Sequence, residues 1–335
     1  MGEATDEHEG QTMSSAPIHS LVVSDVRTLT PVIRAITLAA PDHSALPDWQ
    51  AGAHINIALP DGSERSYSLV NTMAGATTTR APTTYLLGVR LSEHSGGGSR
   101  FMHGLQVGDR VNASGPRNHF ALASSPHETV LVAGGIGITP LISMAAELQA
   151  AKRPYRLIYA VRNRDQLAFL DEVQALASEA LRVHCDAELG QFELGGLMAS
   201  LVHEEPLYLC GPMPMIQAGI AAAKQLGWAE HRLHFEIFSA PEAQAGDKPF
   251  EIVLQSSGKR YLVPADKTIL DVLIGAGEDP IYDCQRGDCG ICQVGVVAGV
   301  PDHRDFILSD AEKAAGRLIQ ICISRAHSNE LVLDL

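Results

Sequence analysis

The chain has 335 residues, a hydrophobic fraction of 45% and a formal net charge of −14 at pH 7. That length exceeds one ordinary core and calls for two or three domains. The charge argues against nucleic acid or an anionic membrane surface as a partner, and a monomer is expected. The most apolar run, 130–148, is broken by Gly134, Gly135, Gly137 and Pro140, so it reads as strand, loop and helix rather than a membrane span. Nothing at the start marks export, and six cysteines, four of them in one motif, suit the reducing cytoplasm. Residues 1–16 are acidic, Ser-rich and poor in large apolar groups, and are expected to be disordered.

From 17 to 120, short alternating runs predict a small antiparallel β-barrel: Ser20–Val26, Ile33–Leu38, His54–Leu59, Arg65–Val70, Tyr85–Leu91 and Arg110–Ala113. On one of them Arg65 and Tyr67 share a face, so a guanidinium and an aromatic ring meet one ligand. Gly98-Ser99, entering the helix-like stretch Phe101–Leu105, makes a phosphate-sized anion site. By themselves these residues also read as a solvated arginine and a packing tyrosine.

From 121 to 238 the pattern becomes βαβ, predicting a parallel sheet. Its strands are Thr129–Ala133, Tyr155–Val161 and Pro206–Cys210; its helices are Pro140–Gln149, Phe169–Ala177 and Met213–Leu226, the last stopped by Gly227. The first strand runs into Gly134-Gly135-Ile136-Gly137-Ile138-Thr139-Pro140. Glycines there let backbone approach a pyrophosphate, and Pro140 suits the first helical position. The run is not GxGxxG, and a turn needed only for packing is the alternative. A second strand-to-helix turn, Cys210-Gly211-Pro212-Met213, lies about seventy residues on; two such turns on one parallel sheet line one crevice. Arg162, Arg164 and Asp165 follow the second strand, where their mixed charges leave NADH against NADPH open.

Residues 239–249 read as a polar Pro/Gly/Ala linker, followed from 250 to 335 by a compact unit with a hairpin around Ser256-Ser257-Gly258 and a helix opening at Thr268. This unit holds Cys284-x4-Cys289-x2-Cys292 and, after twenty-nine intervening residues, Cys322. The spacing is that of a plant-type [2Fe–2S] cluster, in which one tight loop supplies three thiolates and a distant segment the fourth. Gly287 and Gly290 let the loop close, leaving amides to face sulfur. Asp283 and Asp288 make the cluster loop an acidic docking face and predict a basic patch on the electron acceptor, although Arg286 leaves the face mixed. Cys185 reads as an ordinary thiol, and His54 and His119 as packing or solvated side chains, with a place facing the flavin as the alternative.

Taken together, RSYSLVN at 65–71, GGGSRFMH at 96–103, GPRNHF at 115–120, GGIGITP at 134–140, YLCGPMPM at 208–215, HFEIF at 234–238 and the four cysteines resemble the phthalate dioxygenase reductase family, which includes the vanillate O-demethylase reductase components. The resemblance covers nearly the whole chain after residue 16. It implies an antiparallel flavin-binding β-barrel, an α/β parallel-sheet nucleotide-binding domain and a C-terminal β-grasp plant-type ferredoxin. It further implies NADH as donor, FMN in the barrel and a separate Rieske-type aromatic-ring oxygenase or O-demethylase as acceptor. Arg65, Tyr67, Ser68 and Leu69, with Gly97, Gly98 and Ser99, would then hold FMN; Gly135, Gly137, Thr139, Pro140, Gly211, Pro212 and Met213 would hold the dinucleotide. Cys210 would lie near the nicotinamide, with Glu236 and Phe238 closing over the flavin.

The chemistry is consistent with that order. A nicotinamide delivers two electrons as hydride and a [2Fe–2S] cluster accepts one, so a flavin must stand between them. No Cys-x-His pair for a Rieske centre and no 2-His-1-carboxylate set stands out, which makes the chain a donor component. The alternatives are a reductase for a haem or ferric acceptor, and a redox-sensing iron–sulfur protein.

Overall fold

Three sheets organise the chain. The computed structural model describes residues 18–72, 80–92, 97–238, 244 and 246–335. The expected disorder of residues 1–16, Gly96 and most of the segment read as a linker lie outside them.

The first sheet contains β1 (Ile18–Thr30), β2 (Ile33–Ala39), β3 (His54–Ala58), β4 (Glu64–Ser68), β5 (Thr84–Arg90) and β6 (Arg110–Arg117), with the short helix α1 (Gly98–Gly104) before β6. Its order is β4-β3-β6-β1-β2-β5, and a bridge from Leu69 to Leu87 joins the two edges into a barrel. Alternation sets the inner face: on β5, Tyr85, Leu87 and Val89 are buried while Thr84 and Arg90 are exposed.

The second sheet is parallel throughout, in the order β11-β10-β7-β8-β9. In chain order it comprises β7 (Thr129–Gly134), α2 (Ile138–Ala150), β8 (Tyr155–Val161), α3 (Leu170–Ala177), β9 (Leu181–Cys185), the short helices α4 (Asp186–Leu189) and α5 (Leu194–Ala199), β10 (Leu207–Cys210), α6 (Met213–Leu226) and β11 (Leu233–Glu236). Every residue of β7 is buried, as a central parallel strand covered on both faces requires. The strand order reverses between β7 and β10, so a crevice opens at their carboxyl ends. β9 and β11 are additions to the three strands read from the sequence; both are short, and most of their residues are only partly buried.

Helix α2 also joins the sheet to the barrel. Ser143 donates its hydroxyl to the Leu69 carbonyl at 2.9 Å and accepts the Asn71 amide at 2.8 Å. The helix begins at Ile138, which puts Pro140 at its third position rather than the first. A missing amide is tolerated there too, because the first four N–H groups of a helix lack intrahelical partners.

The third unit contains β12 (Phe250–Leu254), β13 (Arg260–Val263), α7 (Ile269–Gly275), β14 (Gln293–Ala298), β15 (Pro301–Asp302), α8 (Asp310–Ala315), β16 (Leu318–Gln320), β17 (Arg325–Ala326) and β18 (Glu330–Asp334). Its main sheet runs β13-β12-β18-β14-β16, with β12 parallel to β18 and the other pairs antiparallel, the mixed arrangement of a β-grasp. Thr268 and Asp271 form a capping box at α7, and Ser309 and Glu312 form another at α8. Asp247, from the segment read as a linker, is held bidentately by Arg304 at 2.9 and 2.5 Å. That end of the segment is anchored to the third unit.

Candidate functional site

A cleft of about 1340 Å³ opens where the three units meet. The barrel wall comes from β4 and the start of α1. Arg65, Tyr67 and Ser68 line it with Gly98 and Ser99. A side chain on Gly98 would sit 2.7 Å from Cγ of Arg65, so the turn rests directly on the arginine stem. Gly97 adopts φ +103, and a Cβ there would meet nothing within 4 Å. Burial pushes the Tyr67 hydroxyl up to about 12, keeping it a neutral donor. Leu69 does not join this wall: it is fully buried in the barrel core, its amide donating to Ala53 and its carbonyl accepting from Ser143.

The nucleotide wall comes from the two turns. Gly135 and Gly137 line the cleft with Thr139, Gly211, Pro212 and Met213. The glycines have different duties. Gly135 takes φ +57 and faces open space, whereas a Cβ on Gly137 would overlap the Cys210 carbonyl. Gly137 therefore serves packing, the alternative reading for that run, while Gly135 supplies the left-handed turn. Thr139 is 1% exposed and its hydroxyl bonds the Ile136 carbonyl at 3.0 Å; Pro140 is buried in α2 outside the cleft lining. Further along, Arg164 is paired to Glu188 at 2.5 and 2.8 Å, and Asp186 lines the cleft nearby, leaving Arg162 as the cation on that wall.

Cys210 and Glu236 are paired in register at the ends of β10 and β11 and stand behind the lining, whereas Phe238 is part of it. Burial pushes the Cys210 thiol well up, so it stays protonated. Burial also raises Glu236 to about 7, against the pull of the Arg286 guanidinium and the nearby Ser68 hydroxyl.

The third wall is the cluster loop. The Cys284 thiol lies within interaction range of both Cys289 and Cys322, and Cys322 also of Cys292, so the four sulfurs converge. Gln285, Gly287 and Gly290 all adopt positive φ, winding the loop around that point, and the Arg286 amide donates to Cys284 sulfur at 3.3 Å. A Cβ on Gly287 would lie 2.7 Å from Ile323, so the loop also seats on the Cys322 segment. Cys284 and Cys322 line the cleft; Cys289 and Cys292 do not. A four-thiolate cage with inward amides fits a [2Fe–2S] cluster.

Asp283 and Asp288 turn inward, which corrects their reading as an exposed docking face. Asp283, 6% exposed, contacts Arg117 Nη1 and His119 Nε2, each at 2.7 Å. Burial opposes its ionisation, but the hydrogen bond with His119 and the adjacent Arg117 guanidinium outweigh this and hold it below the usual carboxylate range. The same bond to Asp283 raises His119, while burial, aided by Arg286, lowers the neighbouring His54 to about 4. Asp288 accepts the Ile237 amide at 3.1 Å and is raised by burial to about 7. Loss of solvent would discharge Arg286, 8% exposed, but Asp288 and Glu236 more than offset it. His119 is thus bonded across the interface to Asp283, and His54 is buried beside it in ring contact. Together with Asp283 their ligand atoms lie within 4.8 Å, but Arg117 already occupies the carboxylate, which makes the group a salt-bridged junction rather than a cation site. The only sequence signal for this junction was the polar Arg117-Asn118-His119 run at the end of a strand.

Comparison with known proteins agrees with this architecture. Residues 252–327 match the 2Fe-2S iron-sulfur cluster binding domain, and residues 131–219 the oxidoreductase NAD-binding domain. The chain is 42% identical over 302 residues to the phenoxybenzoate dioxygenase subunit beta of Ectopseudomonas oleovorans, covering 89% of this chain and 91% of that protein. It is 40% identical to the vanillate O-demethylase oxidoreductase of Pseudomonas sp. (strain HR199 / DSM 7063), covering 94% and 99% respectively. Phthalate dioxygenase reductase, described as a modular structure for electron transfer from pyridine nucleotides to [2Fe-2S], superposes with a TM-score of 0.74 at 34% identity, covering 95% of this chain and 98% of that one. An intact type IV self-sufficient cytochrome P450 monooxygenase gives the same TM-score, 0.74, at 36% identity, but this chain spans only 41% of it. The fold and its cleft define an NAD-linked iron–sulfur oxidoreductase. The chain belongs to the phthalate dioxygenase reductase family. Among the described residues no helix is long and apolar enough to cross a membrane.

Proposed function

We propose that this protein oxidises NADH and passes the electrons, through FMN in the cleft and a [2Fe–2S] cluster on Cys284, Cys289, Cys292 and Cys322, to a separate Rieske-type oxygenase or O-demethylase. The observation that carries the reading is the cleft itself: the barrel wall around Arg65, the glycine turns and two cluster cysteines border one space. FMN, when bound, supplies the conversion of a hydride into single electrons. The chain's own residues bind and orient it. Arg65 offers a charged donor, Tyr67 a neutral hydroxyl and a ring, and the Gly97-Gly98-Ser99 turn backbone amides for a phosphate. Gly135 and the Gly211-Pro212-Met213 turn receive the dinucleotide. Asp186 on the cleft wall favours NADH by repelling a 2′-phosphate, and pairing with Glu188 takes up the charge of Arg164, which leaves Arg162 as the opposing cation. A monomer in the cytoplasm is part of this reading, with all six cysteines free as a reducing compartment keeps them.

Acid extraction of the purified protein should release FMN, iron and sulfide analysis should give two of each per chain, and NADH should drive cytochrome c reduction faster than NADPH. Reconstitution with candidate oxygenases then identifies the acceptor. The likeness to the reductase portion of a self-sufficient P450 supports a second reading, delivery to a haem protein. Turnover with a P450 but with no Rieske oxygenase would select it.

A further inference from the structure

We propose that Asp283 is a positioning residue for electron transfer within the molecule: clamped by Arg117 and His119, it fixes the adjoining cluster ligand Cys284 against the barrel side of the cleft. The proposal rests on the reading of the site just given. Asp283 immediately precedes Cys284, one of the two cluster cysteines that border the cleft. Its carboxylate is nearly sealed from solvent and touches the Arg117 guanidinium and the His119 imidazole of the barrel, each at 2.7 Å. A charge-assisted pair sheltered in this way is directional and weakly screened by salt.

The clamp connects to the flavin wall by strand register. His54 on β3 is paired with Arg117 on β6 and, on its other side, with Ser68 on β4. One cross-strand row, Arg117–His54–Ser68, therefore runs from the group that grips Asp283 to the residue beside Arg65 and Tyr67. The row sits beside a register shift between His54 and Asn56, and it couples the position of the cluster loop to the wall that holds the electron donor. A second, independent tether acts on the nucleotide unit through Asp288 and the Ile237 amide, and Phe306 packs edge-on against Phe235. Because that tether remains, loss of the clamp should misplace the cluster rather than release it.

Arg117→Gln and Asp283→Asn, with cluster and flavin content verified, are mixed with NADH in a stopped-flow instrument. Flavin bleaching reports hydride arrival, and the later cluster bleaching reports internal transfer. Hydride arrival should stay within about twofold of the parent, whereas cluster reduction should slow by roughly tenfold or more, since displacement on the order of 1 Å has effects of that size. The double variant should be no slower than Asp283→Asn alone, because that change already removes the ion pair with Arg117. Asp283→Glu should recover most of the rate. Amides 284–288 should exchange hydrogen faster in Asp283→Asn even without NADH. Unchanged cluster reduction, or equal slowing of both steps, overturns the proposal. A parent protein whose cluster NADH never reduces instead overturns the proposed function.

Discussion

A Cβ on Gly137 would lie 2.1 Å from the carbonyl oxygen of Cys210. The two turns that frame the nucleotide wall are therefore pressed together backbone to backbone, and the crevice between β7 and β10 depends on a missing side chain. Gly137→Ala cannot be absorbed by a rotamer change, so the turns must separate. The expected cost is on the order of 3 kcal/mol, with a raised KM for NADH. Gly135→Ala meets no atom but inherits φ +57, at about 1 kcal/mol. Thermal unfolding of the two variants side by side should rank them in that order.

Glu236 gives a pH signature. Its pKa is raised from 4.5 to about 7, so the folded state holds a proton that the unfolded chain releases. Stability from this group is fully present below 4.5 and is lost as pH rises through about 7. Glu236→Gln should flatten the fall in Tm across that window by an amount equivalent to about 3 kcal/mol as an upper bound. Asp288, raised from 3.8 to about 7, would supply the remaining slope. An unchanged pH profile in Glu236→Gln would show that the carboxylate is charged throughout.

Removing one thiolate should separate the two halves of the electron path. Cys289 is at the loop edge away from the cleft lining, so Cys289→Ser should abolish the cluster's visible absorbance and cytochrome c reduction. Flavin content and NADH oxidation with ferricyanide should persist. Joint loss of flavin and cluster in a folded variant would argue that the sites are not separable.

Arg65→Ala should weaken flavin retention. A charge-assisted hydrogen bond is worth about 1.5–3 kcal/mol, which corresponds to a roughly ten- to hundredfold rise in flavin Kd. The same change leaves Gly98 without the side-chain stem it packs on, so part of the effect is positional. Fluorescence of released flavin during dialysis measures it, and full retention would assign Arg65 to the surface.

Much of this protein was legible in its residues. The cluster spacing, the glycine turns and the alternating strands are local patterns, and local patterns follow from backbone periodicity and covalent reach. Thr139, Pro140 and Leu69 were harder, since a motif names its neighbours along with its working groups. Packing decides which of them face the cleft: Leu69 and Pro140 lie outside its lining, and Thr139 borders it with its hydroxyl turned to the Ile136 carbonyl.

The acidic cluster loop marks the boundary between the two kinds of information. Sequence alone determined that Asp283 and Asp288 are carboxylates beside cluster cysteines, and that the chain joins three units with complementary redox chemistry. Only the tertiary structure decided where those carboxylates point: Asp283 toward Arg117 and His119, Asp288 toward the Ile237 amide. The partners are 166 and 164 residues away from Asp283 and 51 away from Asp288. A charge has the same identity in solvent or in a salt bridge, and its effect depends on what the fold brings within about 4 Å of it.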